Sequence, residues 1–218
     1  MEEKKRKIFG KILNIYTIFG MLLLLISISL ILIPTTPYIL YRLQPSKTED
    51  EIQKITAELI EEAEVTEIEE KKEEVAEEPI DESLPKENYI IIEKIDVTSP
   101  IGEGENSTEP LKKGSWIVPN FGTPEENSQP IIIAAHRFGY IYWDRATREE
   151  ISFYNLPKTE VGDTIEIIWG QRKYTYEIYK AEESTYISDY SADLILYTCK
   201  YFSSPERIFR YANRVVEE

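Results

Sequence analysis

The sequence predicts an all-β folded body, a closed or nearly closed barrel with short helices or turns, preceded by one transmembrane helix and an acidic stalk. Three observations carry this. After residue 90 the chain reads as short β-branched and aromatic runs separated by turn signals, with no long amphipathic helix. Before it, residues 12–33 form an apolar run without a charge. Between the two lies a segment dominated by Glu.

Residues 1–11, MEEKKRKIFGK, form a basic tail with Lys4, Lys5, Arg6, Lys7 and Lys11. Residues 12–33 follow, and as a helix they reach roughly 33 Å, enough for a bilayer core of about 30 Å. Pro34 comes next and no small-residue cleavage site is evident, so the run reads as an uncleaved anchor rather than a signal peptide. The positive-inside rule places the basic end in the cytoplasm and the body outside the cell.

The stretch 34–87 is the expected stalk. The formal net charge of −15 is concentrated there, since Ser46 to Glu87 holds seventeen acidic against five basic residues. Ile52, Ile55, Leu59 and Ala63 recur at helical spacing, while EIEEKKEEVAEEPIDE has too little apolar surface to offset its ordering entropy. The remainder of the chain is near neutral, which argues against nucleic acid as a partner.

The folded body is expected over 88–218. Its strand candidates are YIIIEKI (Tyr89 to Ile95), IIIAAH (Ile131 to His136), DTIEIIW (Asp163 to Trp169), KYTYEIYK (Lys173 to Lys180), LILYTC (Leu194 to Cys199) and RIFRYA (Arg207 to Ala212). Gly170 in WGQRK marks a hairpin between two of them. No phosphate loop, dinucleotide fingerprint or zinc-type Cys/His cluster is present, so no cofactor and no metal is expected.

The chain has one His and one Cys, and each closes an apolar strand candidate. Taken singly, His136 reads as a structural strand histidine and Cys199 as a small buried hydrophobe. Together, in a body placed outside the cell with no disulfide partner, they also read as a reactive pair. A thiol with a pKa of about 8.5 needs a base to act as a nucleophile, and an imidazole near 6.5 supplies one. An attacked amide needs donors for its oxyanion, and Arg207 carries a guanidinium at the start of the last strand. Period-two alternation sends Arg210 to the opposite face, so Arg210→Lys is expected to be mild beside Arg207→Lys.

At these residues the chain resembles the sortases, membrane-anchored cysteine transpeptidases with an eight-stranded barrel. LILYTC is similar to the family's TLxTC signature and AAHR to its AGHR. FYNL and VGD stand where the family carries FxxL and GD, and RIFRYA resembles the strand that begins with the catalytic arginine. Ala135 replaces the usual Gly, and an aliphatic residue of the Ile195–Leu196 pair replaces the signature's first Thr. The resemblance covers Tyr89 to Val215. It implies His136, Cys199 and Arg207 as catalytic residues, supported by Thr198 and Arg137. It further implies cleavage of an LPxTG-like sorting signal on surface-protein or pilin substrates through a Cys199 thioester. Transfer would then go to an amine, either a peptidoglycan precursor or a pilin lysine. A hydrolytic cysteine peptidase with the same three groups, and a non-catalytic binding barrel, are the competing classes.

Overall fold

The computed structural model describes residues 16–30, 78–126, 129–140, 142–201 and 204–215. By internal contacts the chain divides into two units, Met1–Leu43 and Gln44–Glu218. In the first, residues 16–30 form an uncharged helix with exposed side chains. Fifteen residues reach roughly 22 Å, and no helix among the described residues is long and apolar enough to cross a membrane. The ends of the predicted 12–33 span lie outside the described residues, as do the 1–11 tail and residues 34–77 of the predicted stalk.

In the second unit eight strands close into a barrel. They are β1 (Tyr89–Ile92), β2 (Val97–Gly102), β3 (Ser115–Ile117), β4 (Ile131–Ala135), β5 (Thr164–Trp169), β6 (Arg172–Ser184), β7 (Leu194–Cys199) and β8 (Arg207–Arg214). Their order around the barrel is β1-β2-β3-β4-β7-β8-β6-β5. The β2/β3 and β4/β7 pairs are parallel and the others antiparallel. Parallel neighbours need a crossover. Between β2 and β3 it includes the short helix Thr108–Lys113, and between β4 and β7 it takes the helix Arg145–Ile151 and the whole β5–β6 hairpin. That hairpin turns where predicted, with Gly170 and Gln171 both left-handed (φ 56° and 58°), as a tight two-residue turn requires.

The predicted first strand is shorter than its apolar run. Glu93–Ile95 forms a 3₁₀ turn closed by left-handed Asp96, and the chain doubles back as β2 against β1.

Strands β4, β7 and β8 are buried on both faces. One cluster fills the barrel and includes Ile131, Ile133, Leu194, Leu196, Ile208 and Ala212 together with residues of β1, β5 and β6. The other lies on the opposite face of the same three strands and includes Ile132, Ala134, Ile195, Tyr197, Phe209 and Tyr211, beneath Leu111, Trp116 and Val118. Burial on both sides explains why IIIAA and LILYT are continuous apolar runs rather than alternating ones. It also makes this three-strand wall a rigid mount for whatever stands at its end.

The predicted boundary at 87/88 falls inside the folded body, because residues 78–84 are bonded to the barrel. Asp81 N donates to Gln171 O (2.9 Å), and Gln171 Nε2 donates to Leu84 O (3.1 Å). Arg172 Nε donates to Glu78 O (2.9 Å), and the nearly buried Arg214 side chain pairs with the Glu78 carboxylate at 3.0 Å. The segment is acidic like the stalk before it, and composition alone does not reveal that its carbonyls have partners. A chain beginning at Asn88 is expected to fold but to be about 2 kcal/mol less stable than one beginning at Glu78. At this size that is a melting point lower by about 5–10 °C. Equal melting of the two chains would show that the segment merely rests on the barrel.

Candidate active site

The three predicted residues meet because of strand register. The parallel β4/β7 ladder pairs Ile131 with Leu194 and Ala134 with Tyr197. Two further steps bring His136, the residue just past β4, beside Cys199. The antiparallel β7/β8 ladder pairs Cys199 with Arg207. Register and alternation thus set His136, Cys199 and Arg207 in one row across three neighbouring strands, on the face away from the barrel interior. His136 and Arg207 are buried, while Cys199 is reduced and partly exposed. Of the three residues, Cys199 is the most open to solvent.

His136 is held from two sides. Phe153 N donates to its carbonyl at 2.9 Å, and its Nε2 shares a hydrogen bond with the Tyr140 hydroxyl at 3.2 Å. The Tyr140 and Trp143 rings meet the imidazole edge-on, with centroids 5.0 and 6.4 Å away. The chain curls back at Gly139, which is left-handed (φ 67°) and where a Cβ would lie 2.0 Å from the Trp143 ring. Only glycine fits there. Desolvation by this aromatic cover lowers the His136 pKa from 6.5 to about 4. The imidazole is therefore neutral at pH 7 and able to take a proton from a neighbouring thiol.

The same burial predicts a pH dependence of stability. Between about pH 6.5 and 4 the unfolded chain holds a proton on this histidine that the folded chain does not. The contribution is intact above the unfolded pKa and is lost as pH falls toward 4, to the extent of about 3 kcal/mol. Urea midpoints of the wild type and His136→Gln at pH 7.5, 5.5 and 4.5 should converge as pH falls. Parallel curves would show that the ring is protonated or hydrated in the folded chain.

The supporting residues join the exits of β4 and β7. Thr198 Oγ1 donates to Ala135 O (2.8 Å), one step below the row. Arg137 Nη1 donates to the carbonyl of Lys200, the residue after Cys199, and its guanidinium lies 5.2 Å from the Phe138 ring centroid. Arg207 Nη1 donates to the carbonyls of Ser204 and Glu206. It thereby gathers the loop leaving Cys199, which Lys200 N closes by donating to Glu206 O at 3.0 Å.

Arg210 pairs in register with Leu196, on the barrel-interior face, so the two arginines point to opposite sides. The expectation that Arg210→Lys is mild concerns turnover, and the surroundings of Arg210 add a cost in stability. Arg210 is 5% exposed. Its Nε donates to Thr159 Oγ1 (2.8 Å), and its Nη2 donates to the carbonyls of Leu156 and Thr159 (both 3.1 Å). Alternation gave its face but not the carbonyls waiting there. Sequence reasoning also missed Tyr140 and Trp143, whose signal was the aromatic density of RFGYIYW directly after the histidine.

A family model described as the Sortase domain matches residues 90–215, more than half of the chain. No curated protein matches. Among solved structures the chain is similar to sortase C1 of the GBS pilus island 1, with 20% identity over 61% of this chain and 66% of that one, at a TM-score of 0.47. It is similar to a sortase D5 transpeptidase of Clostridium perfringens, with 23% identity over 63% and 83% of the two chains and a TM-score of 0.47. It is also similar to sortase A from Corynebacterium diphtheriae, with 21% identity over 66% and 64% and a TM-score of 0.47. The chain thus spans slightly under two thirds of the length of the first and third of these.

Proposed function

The chain belongs to the sortase family, and on that premise we propose that it is a cysteine transpeptidase acting on an LPxTG-like sorting signal. The observation that carries the proposal is the row formed by His136, Cys199 and Arg207 at the end of the doubly buried wall. In this reading neutral His136 takes the Cys199 proton as the sulfur attacks the carbonyl of the Thr–Gly bond. Arg207, with a backbone N–H, holds the oxyanion. His136 returns the proton to the leaving amine, the C–N bond breaks, and a thioester remains. An acceptor amine then attacks the thioester carbon, the C–S bond breaks, and the amine's proton passes through His136 back to the thiolate.

Surface-protein or pilin chains are the proposed donors, and a peptidoglycan precursor or pilin lysine the proposed acceptor. Incubating the protein with a fluorogenic LPxTG-type peptide, with and without an amine, tests this. Ligated product is expected with the amine and should vanish after thiol alkylation. Cleavage to the free acid alone, at a rate indifferent to amine, would make the chain a hydrolytic peptidase. Absence of any alkylation-sensitive product would make it a binding barrel.

We further propose that residues 12–33 anchor the chain with its basic end in the cytoplasm and its barrel outside. The uncharged run, preceded directly by a lysine-rich tail, supports this. Protease added to intact cells should then release the barrel by cutting before Glu78 and leave a membrane-bound stub. A barrel protected in intact cells would reverse the topology.

A further inference from the structure

A pocket of about 540 Å³ is lined by Arg137, the residue after His136, and by Arg145, Arg148, Glu149, Asn155 and Lys158 among others. Four cations face one acid, and that acid is already engaged, since Arg145 Nε donates to Glu149 at 3.0 Å. This is an unusual place in a chain of net charge −15. The Nε groups of Arg137 and Arg148 are buried without a hydrogen-bond partner. The Arg148 guanidinium lies over the Tyr154 ring, 5.7 Å from its centroid. Arginines held this way match the two-oxygen edge of a carboxylate or phosphoryl group. A volume of this size suits a small ligand or one end of a larger one.

Arg137 links the pocket to the reaction centre. Arg137 follows His136 in sequence, and its Nη1 donates to the carbonyl of Lys200, which follows Cys199. An anion drawn to Arg137 therefore bears on the link between the base and the nucleophile. The fixed residues of the donor motif in the proposed reaction, Leu, Pro, Thr and Gly, carry no acidic side chain for such a pocket, whereas an amine acceptor can carry an acidic group at its other end. We propose that this pocket is an oxyanion subsite that holds the charged end of the amine acceptor while its nitrogen attacks the thioester. The inference rests on the transpeptidase reading above.

The test uses the full chain in detergent micelles, a sorting-signal peptide as donor, and two matched pairs of acceptors. Diglycine against diglycine amide differs only in a carboxylate, and 2-aminoethyl phosphate against ethanolamine differs only in a phosphoryl group. The charged member of at least one pair should have a kcat/KM higher by about tenfold, through KM. Arg148→Gln and Lys158→Gln should each erase most of that preference while leaving donor KM and acyl-enzyme formation unchanged. A preference confined to the phosphoryl pair assigns a phosphorylated acceptor, and one confined to the carboxylate pair assigns a peptide. Equal use of charged and neutral acceptors by an enzyme that forms its acyl intermediate overturns the subsite and leaves the transpeptidase reading standing. A preference that survives both substitutions, or a change in donor KM instead, also overturns it. If the wild type forms no acyl-enzyme, the transpeptidase reading falls and the subsite with it.

Discussion

Cys199→Ala is expected to abolish the covalent intermediate outright, and His136→Gln to lower turnover by about 10²–10⁴. The first follows from there being a single cysteine in the chain, with no second thiol to form a thioester. The second follows from the position of the imidazole, next to Cys199 by register and kept neutral by its aromatic cover. One ring must accept the thiol proton and deliver it to the leaving amine, and neither Tyr140 nor Trp143 can replace it as a base near pH 7. Cys199 is partly exposed, so deleting one sulfur leaves the packing of the wall intact. Intact-mass measurement after mixing with a sorting-signal peptide reads the intermediate directly. Wild type should gain the acyl mass and Cys199→Ala none, while His136→Gln should gain it slowly. An acyl adduct on the alanine variant would place the nucleophile elsewhere, and rapid acylation of His136→Gln would remove the histidine from proton transfer.

The wall that mounts these groups was legible because it is buried on both sides. Ile131–Ala135 and Leu194–Cys199 have no solvent face to interrupt them with polar residues, so each stands out as an apolar run. Strands β2 and β3 left no such trace. VTSPIG carries Pro100 within it, and Ser115–Ile117 is three residues long, too short for any period to register. Of the site, the chemistry of Cys199 and His136 could be read from residue type and strand-end position. That they stand side by side depends on the ladder between two segments more than sixty residues apart, and no local pattern encodes a long-range register. Segment 78–84 shows the same limit, because its attachment runs through backbone carbonyls that composition does not distinguish from those of a solvated stalk.

Arg207→Lys and Arg210→Lys, three residues apart on β8, are expected to fail in different measurements. Arg207 pairs with Cys199 and stands on the same face. Lysine keeps the charge there but loses the planar fork that can aim two N–H groups at an oxyanion while holding the loop carbonyls of Ser204 and Glu206. Turnover should fall by about 10²–10³, with a smaller change in KM. Arg210 lies on the interior face and ties β8 to the turn at Leu156 and Thr159 by hydrogen bonds that one ammonium cannot reproduce. Burial already lowers its pKa, so a lysine there would carry its charge into the same desolvated position with fewer partners. The expected cost is about 2–4 kcal/mol of stability, with kcat of the remaining folded protein near normal. Thermal melts paired with steady-state peptide cleavage separate the two. If Arg210→Lys melts normally but is inactive while Arg207→Lys turns over normally, the oxyanion is served from the interior face. If both retain kcat while Cys199→Ala is dead, backbone amides alone hold the oxyanion, and Arg207 only shapes the loop beside the thiol.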